Sequence, residues 1–533
     1  MHVVFRETHG LEESAVPQDL AQSPANLVVL SFSDGDLGAF AAGWRRADAA
    51  GGRLPSLRLA NLAALQHPLS VDTYVEQTLA GAKGILIRLI GGRSYWSYGL
   101  QQVENLAREK GIALAVLAAD GRIDMRLDAA STIPLSTLRR LAHLCDTGGA
   151  VAAQAALAQF ALAAGCYAGP VTGVRAIADV GGWQPHDGVT CPAAFAINAH
   201  RPRVLVVFYR SYLTAADLHP IEALHAELTA RGFDVIGLFA PSLKTPDAAG
   251  WMCHWVRALK PAAIVNATAF SARGASDTTP LDAADVPVFQ IALATSDRAA
   301  WAGATRGLSP ADLAMHVVLP EVDGRLFAGV ASFKEAAARD GNLEYTRREH
   351  RADPARITAI AARIEAWTNL ASKPVAHHRI AIVLSTYPGK TYQMAHAVGL
   401  DALASTQAIL ADLTEAGYAI TPDATDLATS RILWPLAEYR KALAHLPEPL
   451  RKDLQETWGD PTEDFAFTAI DRGGALVVLQ PERGRTEHRA EEYHDLSRCP
   501  CHAYVAFYLW LRARGTDALV HVGAHGTLEW LPG

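Results

Sequence analysis

Gly84-Ile-Leu-Ile-Arg-Leu-Ile90 is a short apolar run that leads into Gly91-Gly92-Arg93. An amphipathic stretch, Gly99 to Lys110, follows, then Gly111 and a second apolar run, Ile112 to Leu117. A continuous apolar strand, a loop, a helix and another apolar strand make a βαβ unit, with parallel strands covered on both faces. The glycine behind the helix supplies its left-handed cap. The same order returns at Arg203–Phe208, Pro220–Ala230, Gly232 and Phe233–Phe239. It returns again at Arg379–Leu384, Ala404–Ala416, Gly417 and Tyr418–Ile420. The copies recur irregularly, which indicates related α/β domains rather than a solenoid. The expected fold class is α/β, with several doubly wound, mainly parallel-sheet domains of flavodoxin-like or Rossmann-like kind.

A chain of 533 residues is too long for one core, given roughly 150 residues per domain. Boundaries are expected near residues 200 and 375, where Ala199-His-Arg-Pro202 and Ser372-Lys-Pro-Val-Ala-His-His378 each precede a strong strand. That divides the chain into an α/β domain at 1–200, a second at 201–375 with a helical C-terminal linker, and a third body at 376–533. The linker helix is read over Asp353 to Asn369, with Asp353 as N-cap and Pro354 in the first turn. Val151 to Ala164 is Ala-rich and apolar but shorter than the roughly 20 residues of a membrane span, so it reads as a buried helix.

Half of the residues are hydrophobic and the formal charge is -7. A globular protein is expected, and one without the basic face of a nucleic-acid binder. Met1 to Gly10 has no basic region followed by an apolar run, so no secretory signal is read there. The six cysteines are scattered, with only Cys499 and Cys501 close together. That pattern fits a reducing, cytoplasmic setting, and the C-x-C spacing is a poor zinc match, so free thiols are expected.

Ligands of open α/β sheets gather at the carboxyl ends of strands, which points to the loops after Ile90, Phe208 and Leu384. The loop after Leu384, Ser385-Thr-Tyr-Pro-Gly-Lys-Thr391, ends like a phosphate loop. A P-loop would need glycine where Leu384 stands, so ATP is expected to be hydrolysed by another chain. The histidines carry more. His488, His494, His502, His521 and His525 are five of the chain's 20, all in its final 46 residues. Arg483, Arg485, Arg489, Glu491, Glu492, Tyr493 and Asp495 surround them. In Leu519-Val-His-Val-Gly-Ala-His-Gly-Thr-Leu-Glu-Trp-Leu-Pro-Gly533, His521 ends an apolar strand, Asp517 to Val522, and His525 and Glu529 follow the turn. Imidazole and carboxylate bind divalent metals and move protons near neutral pH. A set of satisfied polar histidines at a domain interface is the other reading. Two loops are weaker candidates. Gly91-Gly-Arg-Ser-Tyr-Trp-Ser-Tyr-Gly99 could cover a flat ligand or simply pack aromatics. Ser31-Phe-Ser-Asp-Gly-Asp36 could hold a cation or be a solvated turn.

That terminal segment resembles the signature of the family of CobN and the magnesium chelatase large chain, whose members are large subunits of metal chelatases. Met1-His-Val-Val-Phe-Arg-Glu-Thr-His-Gly10, Leu27–Asp34, Leu57–Leu62, His67–Asp72, Arg88–Gly92, Arg306–Asp312, Tyr387–Lys390 with Gly399–Asp401, Tyr493–Asp495 and His502–Leu511 are similar too. The resemblance thus runs in order along the chain. It implies a tetrapyrrole- and metal-binding subunit of an ATP-dependent cobaltochelatase, a ligase inserting Co(II) into hydrogenobyrinic acid a,c-diamide in aerobic cobalamin synthesis. It implies as partners an AAA+ motor, CobS, and a co-subunit, CobT, which hydrolyse ATP; no nucleic acid and no membrane span are expected.

Carried onto this chain, His521, His525 and Glu529 would bind metal and serve catalysis. Lys390, Arg485, Arg489, Tyr493 and His494 would bind the substrate. Leu528-Glu-Trp-Leu-Pro532 leans to the cobalt branch, since the magnesium branch tends to carry Phe-Met after the Glu. The alternatives are a large subunit of the magnesium chelatase type or a non-catalytic tetrapyrrole- or partner-binding fragment. Family members continue for several hundred residues and usually place Lys after the final Gly. The chain therefore reads as the front part of such a subunit, or as an incomplete gene model. Cys499-Pro-Cys501 departs from a stretch that is usually thiol-free in the family.

Overall fold

The computed structural model describes residues 17–49, 51, 54–119, 122–174, 176–274, 277–385, 400–421, 427, 429–484, 495 and 497–523. It divides into two compact units, Met1–Glu365 and Ala366–Gly533.

The first unit holds two sheets. Strands β1 (Leu27–Ser31), β2 (Leu57–Asn61), β3 (Gly84–Leu89) and β4 (Ala113–Ala118) form a parallel sheet in the order β2-β1-β3-β4. Every residue of β1 and β3 is buried. Leu27, Val29 and Leu86 enter one core, while Val28, Leu30, Ile85 and Ile87 enter another on the opposite face. Two-sided burial explains why these strands read as continuous apolar runs. The helix between β3 and β4 spans Ser97–Lys110 and is closed by Gly111 at φ 68°, the left-handed cap its sequence calls for. The Ala-rich segment forms the Gly149–Ala163 helix. Its Ala152, Ala156, Leu157, Phe160 and Ala161 are almost fully buried, as suits a helix apolar on most sides.

The second sheet has eight strands. They are β5 (Gly181–Gln184), β6 (Gly188–Thr190), β7 (Arg203–Tyr209), β8 (Asp234–Ala240), β9 (Ala263–Asn266), β10 (Val288–Leu293), β11 (Leu326–Ala336) and β12 (Arg348–Ala352). Their order is β12-β11-β10-β9-β7-β8-β5-β6. The middle five strands are parallel, while β12, β5 and β6 add antiparallel edges. Both parallel arrays reverse direction beside their first strand, which is the doubly wound arrangement. The Pro354–Ser372 helix starts where Asp353 accepts from the Arg356 N–H at 3.2 Å.

His350 on β12 is buried, with Nδ1 3.3 Å from Ser332 Oγ and its ring beside Tyr212. Burial, reinforced by Lys334 and His316, pushes its imidazole down to about 3. The folded value lies below the unfolded one, so this stabilisation is complete above pH about 6.5. It is lost as pH falls from there toward 3, because the unfolded chain then binds the extra proton. The wild type should lose on the order of 3–5 kcal/mol from this group over that range. His350→Gln should flatten the dependence, read by denaturant unfolding at a series of pH values.

The second unit is built on a four-stranded sheet, β16-β17-β13-β18, and a separate pair, β14-β15. The strands are β13 (Ile380–Leu384), β14 (Ile432–Trp434), β15 (Phe465–Phe467), β16 (Ala469–Asp471), β17 (Ala475–Leu479) and β18 (Ala518–Val522). β13 lies between β17 and β18 and is parallel to both; β16 is antiparallel to β17. Ala381, Val383 and Val478 face a core shared with the His502–Ala513 helix, and Ile380, Ile382 and Leu384 face the other core. The expected strand Tyr418–Ile420 does not form: among the described residues Ile420 makes only an isolated bridge to Gly473. Pro422 comes two residues later and has no N–H to extend a ladder.

Candidate functional site

β13 is fully buried because it is central, and its end fixes the level of its neighbours. Leu384 pairs with Leu479 of β17 and with Val522 of β18. One residue further on are Ser385, Gln480 and Gly523. The Ser385 N–H donates to Val522 O at 3.1 Å, and the Gln480 N–H donates to Leu384 O at 2.9 Å. Three parallel strands thus end side by side, with polar or small residues just past their carboxyl ends. That edge is where α/β sheets place ligands.

The chain continues from these ends into the segments that the sequence singled out. Lys390 follows β13; Arg485, Arg489, Tyr493 and His494 follow β17; His525 and Glu529 follow β18. All seven lie outside the described residues. Of the predicted site residues, His521 is described. It sits on edge strand β18 opposite Val383, and its side chain reaches solvent. Adjoining protein still shields it enough to lower its imidazole below the ordinary value. That shift favours the neutral form, which ligates metal and accepts protons. Among the described residues no three His, Cys, Asp or Glu side chains gather as a metal site.

Two residues noted in the sequence but given no role there, Gly523 and Arg483, shape this edge. Gly523 has φ 155°, and a Cβ there would overlap Ser385 Oγ. The Ser385 hydroxyl itself lies 3.3 Å from Val522 O. Arg483 is buried and donates through one guanidinium nitrogen to Asp495 O at 2.6 Å and to Arg498 O at 3.0 Å. The Cys501 N–H donates to Arg483 O at 2.8 Å. These bonds tie together the two ends of the segment that carries Arg485, Arg489, Tyr493 and His494.

The other candidates make bonds within the protein. His502 Nε2 lies 2.8 Å from Gly459 O, and Nδ1 lies 2.6 Å from the hydroxyl of buried Tyr439. A carbonyl only accepts, so Nε2 carries the proton and Nδ1 accepts from Tyr439. His502→Ala would leave that hydroxyl buried without its partner, and should cost about 1–3 kcal/mol in denaturant unfolding. Cys499 and Cys501 are free, and burial pushes both thiols up, away from the thiolate that binds metal. Trp96 of the aromatic loop is buried and donates to Leu65 O at 2.7 Å, while Tyr95 is exposed. In the acidic loop, Asp34 meets Lys334 at 3.1 Å and Asn61 at 2.7 Å. Asp36 meets Arg88 at 2.8 Å and Ser31 at 2.9 Å. The chain's own cations, Lys334 and Arg88, and neutral donors thus occupy both carboxylates. No helix among the described residues is long and apolar enough to cross a membrane.

The family model described as CobN/Magnesium Chelatase matches residues 151–533. The chain belongs to the CobN/magnesium chelatase family. It is similar to the aerobic cobaltochelatase subunit CobN of Pseudomonas aeruginosa, 35% identical over 100% of this chain and 45% of the relative. The fold is similar to the solved catalytic subunit of cobaltochelatase from Mycobacterium tuberculosis. There the TM-score is 0.73 at 25% identity, over 95% of this chain and 43% of that one. A magnesium-chelatase subunit of Rhodobacter capsulatus is 25% identical over 62% of this chain and 30% of its own length. The chain thus spans less than half the length of the curated CobN relative.

Proposed function

We propose that this chain forms tetrapyrrole- and metal-binding parts of the large subunit of an ATP-dependent cobaltochelatase. The substrates are Co(II) and hydrogenobyrinic acid a,c-diamide, and the pathway is aerobic cobalamin synthesis. The observation that carries this reading is coverage. The cobalt-type relative aligns along the whole chain, whereas the magnesium-type relative aligns over 62% of it. The parallel strand edge in the second unit supports a site there.

Metal insertion requires three things: water stripped from the cation, two pyrrole N–H protons removed, and the ring bent so that nitrogen lone pairs face the metal. On this reading His521, His525 and Glu529 hold the incoming ion and accept the protons, which suits imidazole and carboxylate. Arg485, Arg489 and Lys390 pair with peripheral carboxylates of the ring, arginine in bidentate fashion, and Tyr493 and His494 add polar contacts. ATP is hydrolysed by CobS with CobT in the cytoplasm, and that motor drives closure or opening around the ring. The test is insertion by the complete large subunit with both partners. ATP-dependent Co(II) insertion into the corrin precursor, with no Mg(II) insertion into protoporphyrin, is expected. The reverse preference would overturn the assignment to cobalt.

A further inference from the structure

Gln480 is 1% exposed, an amide buried just past the end of a strand. Its backbone N–H closes onto Leu384, and its side-chain nitrogen donates to the Tyr508 hydroxyl at 2.6 Å. The same nitrogen lies 3.4 Å from the Tyr504 hydroxyl. Tyr504 and Tyr508 stand one turn apart on the His502–Ala513 helix, so one helix face brings both hydroxyls to the strand edge. Their rings are 5.2 Å apart. Tyr504 is 1% exposed, whereas Tyr508 is only partly buried and keeps a solvent-reachable side.

An apolar trio at these positions would anchor the helix to the sheet without burying an amide and two phenols. Each buried polar group costs free energy unless it is hydrogen-bonded. Bonded to one another the three groups avoid that cost, yet apolar side chains of the same shape would fasten the helix as well, and the network stands level with Ser385 and Gly523 at the proposed site.

We propose that Tyr508 is a substrate-binding residue of this strand edge, oriented by Gln480, and that its hydroxyl hydrogen-bonds a carboxylate or amide arm of the tetrapyrrole. Burial, with Tyr504 beside it, pushes the Tyr508 phenol far above its ordinary range. The group stays protonated at any working pH, so it acts as a donor and not as a base. With Gln480 donating to the phenol oxygen, the hydroxyl hydrogen is directed away from Gln480, toward Tyr504 in the free chain and to the ring's arm when that is bound. Gln480 is the positioning residue, acting through Tyr508.

The inference rests on the strand-edge site proposed above, and the test separates the two. The 533-residue chain is titrated with hydrogenobyrinic acid a,c-diamide, following absorbance, as wild type, Tyr508→Phe, Gln480→Leu and the double variant. Tyr508→Phe should weaken binding about tenfold, the scale of one hydrogen bond to a charged or strongly polar arm. Its melting temperature should fall by only a few degrees, since Gln480 loses its 2.6 Å partner while the chain stays folded. Gln480→Leu should give a similar loss, and the double variant no more than either single one, because both changes remove the same contact. An unchanged Kd in Tyr508→Phe overturns the proposal; it needs no result from Gln480→Leu, should that variant fold poorly. Losses that simply add would overturn the positioning role of Gln480. If the folded wild type shows no saturable binding, the strand-edge reading falls and this inference with it. Binding by the wild type that is insensitive to Tyr508→Phe removes only the inference.

Discussion

His521→Ala in the complete large subunit is expected to lower Co(II) insertion by about 100-fold or more, the usual weight of a positioned acid–base group. The fold should be spared. His521 is on an edge strand with its side chain reaching solvent, and it contributes to neither core of the second unit. Exposed substitutions of this kind change stability by about 0.5 kcal/mol or less. The pH dependence follows from its lowered imidazole. Protonation removes both the metal-ligating and the proton-accepting form, so the rate should fall on acidification, and the midpoint should lie below the ordinary histidine value. Insertion at wild-type rates by a folded His521→Ala enzyme would take His521 out of the mechanism.

Gly523→Ala should have an effect of comparable size for a different reason. A methyl group there meets Ser385 Oγ at the point where β13 and β18 end together. The φ of 155° adds backbone strain that glycine alone avoids. Relief requires Ser385 Oγ to rotate out of its contact with Val522 O and the strand end to give way to Ser385 Cβ, 3.0 Å from the new methyl, at about 1–3 kcal/mol of overpacking. Both site segments that start there would be displaced, and misplacement by about 1 Å can cost 100-fold in rate. Insertion should therefore collapse while most of the unit's stability remains. Ser385→Gly in the same chain removes the obstructing side chain and should restore part of the activity, leaving the backbone strain. A Gly523→Ala enzyme with full activity would show that the strand ends tolerate separation.

Much of the architecture was legible because parallel strands buried on both faces must be apolar at every position. Gly84–Leu89, Arg203–Tyr209 and Ile380–Leu384 announce themselves in this way. Gly111, Gly232 and Gly417 all adopt positive φ, as expected of residues closing helices. The edges were harder. The β5-β6 hairpin consists of four and three residues, with glycines at its starts, and carries no periodic signal. β12, Arg-Glu-His-Arg-Ala, is mostly polar and, among the described residues, pairs along one side.

At the site, His521 could be placed at a strand end from local pattern alone. The Gln480–Tyr508 contact joins residues 28 apart and depends on how a helix lies on a sheet, which no local pattern reveals. The available signal was a glutamine ending an apolar run, with tyrosines at i and i+4 on the next apolar helix. Trp96 and His502 show the converse. An aromatic in a weaker candidate loop and a histidine among histidines were open to a functional reading, yet Trp96 bonds Leu65 O and His502 bonds the hydroxyl of buried Tyr439.

The measurement closest to the central claim is a parallel titration of the 533-residue chain with hydrogenobyrinic acid a,c-diamide and with protoporphyrin, following absorbance. Saturable binding of the corrin precursor, with protoporphyrin much weaker, is the predicted result; it would place ring recognition within these residues. Binding of neither ring by a chain shown to be folded would contradict the account.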